Sequence, residues 1–396
     1  MRNRYLDLLR AIATVRVVIY HLTGWTALTI VFPAMSVMFA LAGSLMAASL
    51  DRFGVWAVER RLRRLLPSLW VLALLIAVPA MLIAGTPFDV HLLLWGFPIV
   101  DPQATGWWMA ALSHAWYLRD FLWFVLLSPL LLPVFRRFPL VTVLIPYGVL
   151  VVLELSGAKL PAIARDLALY GGAWLLGFAH HDGWLTRIPR RRLFGIAAAL
   201  ALPGLAWIAT HPSGRGYDLN DIPIGNALWS AAFVLVALSC SPMVRNHRVL
   251  TVLNSRALSI YLWHIPILVG VTQFGERHGL PIAGPVGLGW RFVALVGLLG
   301  VALALFGWVE DVAGGRRPAL LPGRRLPVPV PVSPAPVSAG PASVLPSRAG
   351  TSVLPVREGA SVLPVREGAS VLPVREGASA GLASEGADGQ VAAARA

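Results

Sequence analysis

The chain carries little charge for its length, a single cysteine and a single lysine. Asp, Glu, Lys and Arg make up 13% of its 396 residues, about half the share in a soluble domain. With 57% apolar residues and a mean hydropathy of +0.70, it lacks the polar surface needed to coat a water-soluble particle. The one cysteine, Cys240, lies in an apolar run, which excludes a disulfide framework and a cysteine-built metal cluster. Lys159 is the only lysine among 33 basic residues. A Gly-rich nucleotide loop, an HExxH pair and a nucleophile elbow are missing too, so the motifs of common soluble enzymes are absent.

What the chain does have is long apolar runs. Ten segments, roughly 5–22, 30–49, 65–84, 116–135, 138–155, 165–180, 193–210, 223–240, 255–273 and 287–310, have the length and composition of bilayer-crossing helices. The expected fold class is an all-α polytopic membrane protein with about ten transmembrane helices. The net charge of +14 would suggest nucleic acid in a soluble protein; here loop topology accounts for it. A cytoplasmic N-terminus puts 20 basic residues on that side and four, Lys159, Arg165, Arg215 and Arg277, on the other. The positive-inside rule then predicts both termini cytoplasmic, in a multi-pass plasma-membrane protein with no nucleic-acid partner. Arg10 and Arg16 inside the first segment, and the lack of a cleavage site, predict a retained helix rather than a signal peptide.

Two connections stand out. The 85–115 stretch has no Lys or Arg and holds Trp95, Trp107 and Trp108, as expected for a segment at the outer interface or folded back among helices over a site. After Asp311 the chain turns Pro-rich, and SVLPSRAGT is followed by three copies of SVLPVREGA between Ser343 and Ala378. A proline in every unit opposes helix and sheet. A transmembrane domain over 1–311 and a disordered cytoplasmic extension over 312–396 are therefore expected, with a partner-binding array as the alternative for the repeats.

A charge inside hydrocarbon needs a partner, a cavity or a function. Arg10, Arg16 and His21 all fall in the first segment. Eleven helical steps leave a net rotation of about 20°, so Arg10 and His21 share a face about 16 Å apart along the axis, while Arg16 faces elsewhere and reads as structural. Four arginines crowd ERRLRRLLP, residues 59–67; they read as interfacial anchors or, through Arg61 and Arg64 on one face, as a phosphate site. In HAWYLRDFLWF, residues 114–124, Asp120 lies at the depth of His21 and either orients the imidazole or pairs with Arg119 or Arg291. In SRALSIYLWHIP, residues 255–266, Ser259, Tyr261 and His264 interrupt an apolar span; a satisfied structural histidine is the default there.

Taken together, YLDLLRAIATVRVVIYH, RRLRRLLP, HAWYL and LSIYLWHIP resemble the membrane-bound acyltransferase family 3, over roughly residues 5–310. The resemblance implies ten spans, a cytoplasmic N-terminus, and transfer of an acyl group, often acetyl, from an acyl-coenzyme A to a hydroxyl, commonly on a sugar. It makes Arg10 and His21 the family's spaced Arg and essential His. Arg61 and Arg64, with Pro67 following, become its donor-binding RxxR pair, and His114, Trp116 and Leu118 its HxWxL stretch. Where many relatives carry Glu this chain has Phe121, with Asp120 one position earlier. The implied catalytic set is His21, Arg10 and Asp120; substrate binding falls to Arg61, Arg64, His114, Trp116, Tyr261 and His264.

In the implied mechanism coenzyme A phosphates dock at Arg61 and Arg64, and the pantetheine arm runs upward. His21 removes a proton from the acceptor hydroxyl, or else forms an acyl-histidine, with Tyr261 or Arg10 as candidate oxyanion donors. Acyl-CoA is then a donor substrate; no bound cofactor or metal is required, and the partners are the acceptor and the bilayer. The alternative function is a transporter or exporter of a polar solute.

Overall fold

Runs of Leu, Val and Ala broken by Gly and Pro set both the helices and their ends. A computed structural model describes residues 4–84, 94, 96, 97, 99–101, 110–158, 161–245 and 247–319, all of which lie in the first of two units, Met1–Val328 and Pro329–Ala396. Most of the 85–115 connection, with its three tryptophans, Lys159 and the repeat tail fall outside the described residues. The described residues form α1 (Arg4–Thr23), α2 (Ala27–Val31), α3 (Ala34–Phe53), α4 (Trp56–Leu72), α5 (Val78–Ala84), α6 (Trp116–Arg137), α7 (Pro139–Ser156), α8 (Ala162–His181), α9 (Trp184–Arg187), α10 (Arg190–Thr210), α11 (Pro223–Ser239), α12 (Arg248–Ser255), α13 (Ala257–Arg277) and α14 (Gly284–Ala313). A π turn, Ala73–Ala77, joins α4 to α5. Gly24, Gly54 and Gly157 take positive φ of 68°, 55° and 64° just past α1, α3 and α7, a conformation that ends a helix at little steric cost.

Among the described residues, six helices are long and apolar enough to cross a bilayer: Ala27–Phe53, Ala110–Arg137, Pro139–Ser156, Arg190–Thr210, Ala257–Arg277 and Gly284–Ala313. The other four expected segments are also helical. Of these, α1, α4 and α8 carry charges that the bundle must shelter, and α11 has 17 residues. Exposure separates an inner from an outer set: the most apolar window of Ala27–Phe53 is 67% buried, that of Pro139–Ser156 only 11%. The side chains facing out from α7, α10 and α14 include Leu140, Val152, Leu202, Val293 and Leu305, with Phe194, Phe292 and Trp308 among them, an apolar face of the kind a lipid-contacting perimeter requires.

The inner set packs tightly because small residues let backbones meet. A Cβ on Gly177 of α8 would lie 2.1 Å from the Ala40 carbonyl oxygen of α3, and one on Gly43 would lie 2.3 Å from the Trp174 carbonyl oxygen. Close approach of this kind is the main source of helix association where no hydrophobic driving force exists between helices. Trp174 fills the resulting core beside Phe121, Phe124 and Phe178 and donates its indole N–H to Ser128 Oγ at 3.1 Å. Charges close the end of the bundle where α1 begins. Arg136 of α6 makes paired hydrogen bonds of 2.8–2.9 Å to both Asp51 and Asp182, and His181 reaches Asp51 at 2.8 Å. Asp51, His181 and Asp182 are also close enough to share a metal ion, but the Arg136 guanidinium already bonds both carboxylates. Arg256 is buried with Asp311 at 2.6 Å and also donates to the Gly307 carbonyl.

Candidate active site

Two cavities inside the bundle share part of their lining. The larger, about 780 Å³, opens at the end where α1 begins, and its described walls carry Arg10, Arg60, Arg61, Arg63 and Arg64 against one carboxylate, Glu310. The four α4 arginines arise from the ERRLRRLLP run, in which every residue type except the terminal proline favours a helix. They are not equivalent. Arg63 is exposed and ion-paired to Glu59 one turn earlier. Arg60 lies over the Phe53 ring, 4.1 Å from its centroid. Arg61 is half-buried and reaches Ser49 Oγ only at 3.5 Å. Glu310 is occupied by Ser259, whose hydroxyl donates to it at 2.8 Å.

The smaller cavity, about 430 Å³, lies towards the opposite end of α1. His21 and Tyr20 enter it from α1, Trp116 from α6, Arg165, Asp166 and Tyr170 from α8, and Arg215, Asn220 and Asp221 from the loop before α11. Trp116 stacks on Tyr170 with centroids 5.6 Å apart and planes 23° apart. Tyr20 donates to Asp218 at 2.5 Å and accepts from Asn220 at 3.2 Å, which pins the loop to α1. Arg215 holds Asp221 through two bonds of 2.7 Å, and these keep the Asp221 carboxyl below its ordinary range. Among the described lining residues, the two cavities share Tyr117 and Tyr261. Those rings lie 5.2 Å apart at 62°.

The structure brings together most of the residues singled out from sequence. Arg10 faces the basic cavity and His21 the other, so one face of α1 serves both. His21 Nδ1 lies 3.1 Å from His264 Nε2, and the His264 ring packs 5.5 Å from that of His114. His114 Nε2 reaches the Leu262 carbonyl at 3.2 Å, while the Tyr261 hydroxyl donates to the His114 carbonyl. Pro266 explains the first of these bonds. Lacking an N–H, it leaves the Leu262 carbonyl one turn earlier without its helical donor, and His114 supplies one. With its proton committed to the His114 backbone, the Tyr261 hydroxyl is not placed as an oxyanion donor.

Asp120 is the exception. It does not contact His21; it is fully buried and accepts from Arg119 Nε at 2.9 Å, and Arg119 also pairs with Asp101 and Asp166. A buried guanidinium in a span needs compensating carboxylates, and here they come from α6, α8 and the residues before α6. Arg291 takes no part: its Nε points to the Gly287 carbonyl at 3.3 Å. Arg16 departs from its expected role in the other direction. It lines the smaller cavity, donating to the Leu28 carbonyl at 3.0 Å and lying over the Tyr20 ring. The sequence reading passed over Tyr117, Tyr170, Asn220 and Asp221. The polar stretch SGRGYDLND, residues 213–221, between two apolar runs was the available signal for the last two.

A family model described as an acyltransferase domain, of the type 3 class, matches residues 3–309. No curated protein and no solved structure matches the chain.

Proposed function

The chain belongs to the acyltransferase 3 family and is a membrane acyltransferase; from that premise we propose that it moves an acyl group, acetyl in the simplest case, from acyl-coenzyme A to a hydroxyl of a sugar or glycoconjugate. The observation that carries this reading is the pair of cavities of unlike chemistry, both served by α1 and joined at Tyr117 and Tyr261. Five arginines suit the phosphates of coenzyme A, because guanidinium binds phosphate through paired, charge-assisted hydrogen bonds. A stacked Trp116 and Tyr170 beside Asp166, Asn220 and Asp221 suits a sugar, offering an apolar platform with hydrogen-bonding groups at its edge.

In this reading all ten helical segments cross the plasma membrane, with both termini and the basic cavity on the cytoplasmic side. The donor's nucleotide end rests on Arg61 and Arg64, and its thioester reaches past Arg10 to the level of Tyr117 and Tyr261. His21 takes the proton of the acceptor hydroxyl as the oxygen attacks the thioester carbonyl. The new C–O bond forms, the C–S bond breaks, and the proton passes from His21 to the departing thiolate, so that ester and coenzyme A thiol leave with no net proton exchanged. Asp120 supports the site by compensating Arg119.

The test is transfer of label from isotopically labelled acetyl-CoA into endogenous acceptors of membranes that hold equal amounts of wild type or His21→Ala. Label that is lost in the variant is the expected result. Full transfer by His21→Ala would overturn the assignment of the base. Absence of transfer by folded wild type, with longer acyl donors also tried, would overturn the donor.

A further inference from the structure

The His21 ring faces His264 and the Val17 backbone carbonyl one turn earlier on α1, and the first bears on which nitrogen of His21 carries the proton. His264 is 1% exposed, and its Nδ1 lies 2.7 Å from the Tyr261 carbonyl oxygen and 3.2 Å from that of Ile260. A carbonyl oxygen only accepts, so the proton of the neutral His264 ring is on Nδ1 and the lone pair on Nε2. The group facing that lone pair at 3.1 Å is His21 Nδ1. Two lone pairs do not form a hydrogen bond, so His21 Nδ1 is the donor. The neutral His21 ring then has its only remaining lone pair on Nε2, while the side chain stands exposed to the smaller cavity.

We propose that His264 is the positioning residue of this enzyme: it holds His21 in the Nδ1–H tautomer and thereby presents Nε2 as the base towards the acceptor hydroxyl. The inference rests on the reading of His21 as the base. The division of labour is that of a base and an orienting partner, with a neutral imidazole in the place a carboxylate takes elsewhere. The supporting wall is rigid. His264 stands on α13 between its own helix carbonyls and the His114 ring. His114 is tied to α13 twice, through its imidazole to the Leu262 carbonyl and through its own carbonyl to the Tyr261 hydroxyl. A half-turn of the His264 ring would put Cδ2 in the place of Nδ1 and so break its bond to the Tyr261 carbonyl.

Three variants and two readouts test this in the full-length protein in membranes. Gln at 264 places an amide oxygen near the position of the lost Nε2 and can accept from His21; Leu fills similar space and cannot. With labelled acetyl-CoA as donor and endogenous acceptors, His264→Leu should lower kcat about 10- to 100-fold, part of the span open to general-base catalysis. The KM for acetyl-CoA should stay within about twofold, because His264 is not among the residues that line the basic cavity, and His264→Gln should recover most of kcat. The second readout is the nitrogen spectrum of 15N-histidine-labelled protein, with the His21 signals assigned by their loss in His21→Ala. Wild type should show His21 protonated on Nδ1, and His264→Leu should shift it towards Nε2–H.

Equal losses of kcat in the Leu and Gln variants with an unchanged His21 tautomer would overturn the proposal and leave His264 a packing residue. So would full activity of His264→Leu alongside an inactive His21→Ala, an outcome that keeps His21 as the base. Full activity of His21→Ala would instead remove the base assignment. The spectrum then decides the tautomer alone, and His21 protonated on Nε2 in wild type would overturn it.

Discussion

The four arginines of α4 should differ sharply in what they contribute to donor binding. Replacing Arg61 by Met keeps most of the apolar stem and removes the guanidinium. Arg61 is half-buried in the wall of the 780 Å³ cavity, and its Ser49 contact, at 3.5 Å, is at the limit of a hydrogen bond. Its hydrogen-bonding capacity is therefore available to a phosphate. A hydrogen bond to a charged group is worth about 1.5–3 kcal/mol, which corresponds to roughly 10- to 150-fold in affinity for coenzyme A. Arg63 has a side chain 77% exposed and already pairs with Glu59, the kind of contact for which solvent leaves about 0–1 kcal/mol. Arg63→Met should thus weaken the donor by no more than about fivefold. The measurement is the inhibition constant of free coenzyme A against labelled acetyl-CoA, which avoids reading KM as affinity. It should be repeated with coenzyme A lacking its 3′-phosphate, to ask whether wild type and Arg61→Met lose discrimination at the same group. Equal effects of the two substitutions would refute the reasoning. So would a fall in kcat for Arg61→Met with binding unchanged, since that would place Arg61 at the reacting centre instead of the phosphates.

Packing and loop chemistry give further expectations. Gly177→Leu forces a Cβ into the Ala40 carbonyl and should cost about 1–3 kcal/mol or more, read as a lower Tm in detergent and reduced accumulation in membranes. Arg256→Ala removes one of the two guanidiniums on the buried Asp311 carboxylate and leaves Arg316 at 3.1 Å, so it should cost less than the roughly 3–5 kcal/mol of a fully unpaired buried charge; adding Asp311→Ala should restore part of that loss, and additivity of the two would show that the pair is not coupled. Tyr261→Phe removes one of the donors to the His114 carbonyl and leaves the Trp116 N–H, which should lower Tm by an amount equivalent to about 0.5–1.5 kcal/mol. In the loop before α11, the Asp221 carboxyl is held below its unfolded value by Arg215. Its stabilising contribution is therefore full above the unfolded carboxylate pKa of about 4 and is lost as the pH falls through the folded value. A melting series from pH 6 to pH 2 should show that loss in wild type and less of it in Arg215→Gln.

The sequence revealed composition and periodicity well, and partnership across helices poorly. The helical segments were legible because apolar runs of the right length have few other uses, and Arg10 and His21 could be placed on one face of α1 from helical geometry alone. The loop residues Asn220 and Asp221 were not, because what brings them to the cavity is the bond from Tyr20 to Asp218, across 198 positions of sequence. For Asp120 the sequence left two readings, an imidazole partner at the depth of His21 or an ion pair with Arg119 or Arg291, and the structure has the Arg119 pair. Depth carries no azimuth, and the other carboxylates on Arg119, Asp101 and Asp166, come from segments that gave no hint of convergence. Arg16 was assigned away from the site because it turns off the Arg10 to His21 face, an argument that ignored the length of an arginine side chain. Taken alone His264 reads as a satisfied structural histidine, and the family resemblance makes it a substrate-binding residue. It is satisfied, by the Tyr261 carbonyl, and that bond is what leaves its other nitrogen directed at His21.

On the proposed reading, the two cavities resolve a difficulty that a single pocket would not. A nucleotide donor carries several charges, and an arginine-lined cavity lowers its energy on one side of the membrane; bringing it across would strand those charges in a low dielectric. Nothing so charged needs to cross. Only the uncharged pantetheine arm and the thioester have to reach Tyr117 and Tyr261, a distance set by the separation of Arg10 and His21 on α1, about 16 Å from the helical rise. The aromatic junction then has a physical role beyond packing. It is apolar enough to oppose the passage of a phosphate from the basic cavity and thin enough for an acyl group to reach His21. The same rings are fixed from both sides, Tyr117 by Phe39 at 4.9 Å and Tyr261 by the His114 carbonyl. On this reading selectivity for what crosses rests on the rings of Tyr117 and Tyr261 that line both cavities, and the choice of acceptor on the loop that Tyr20 holds in place.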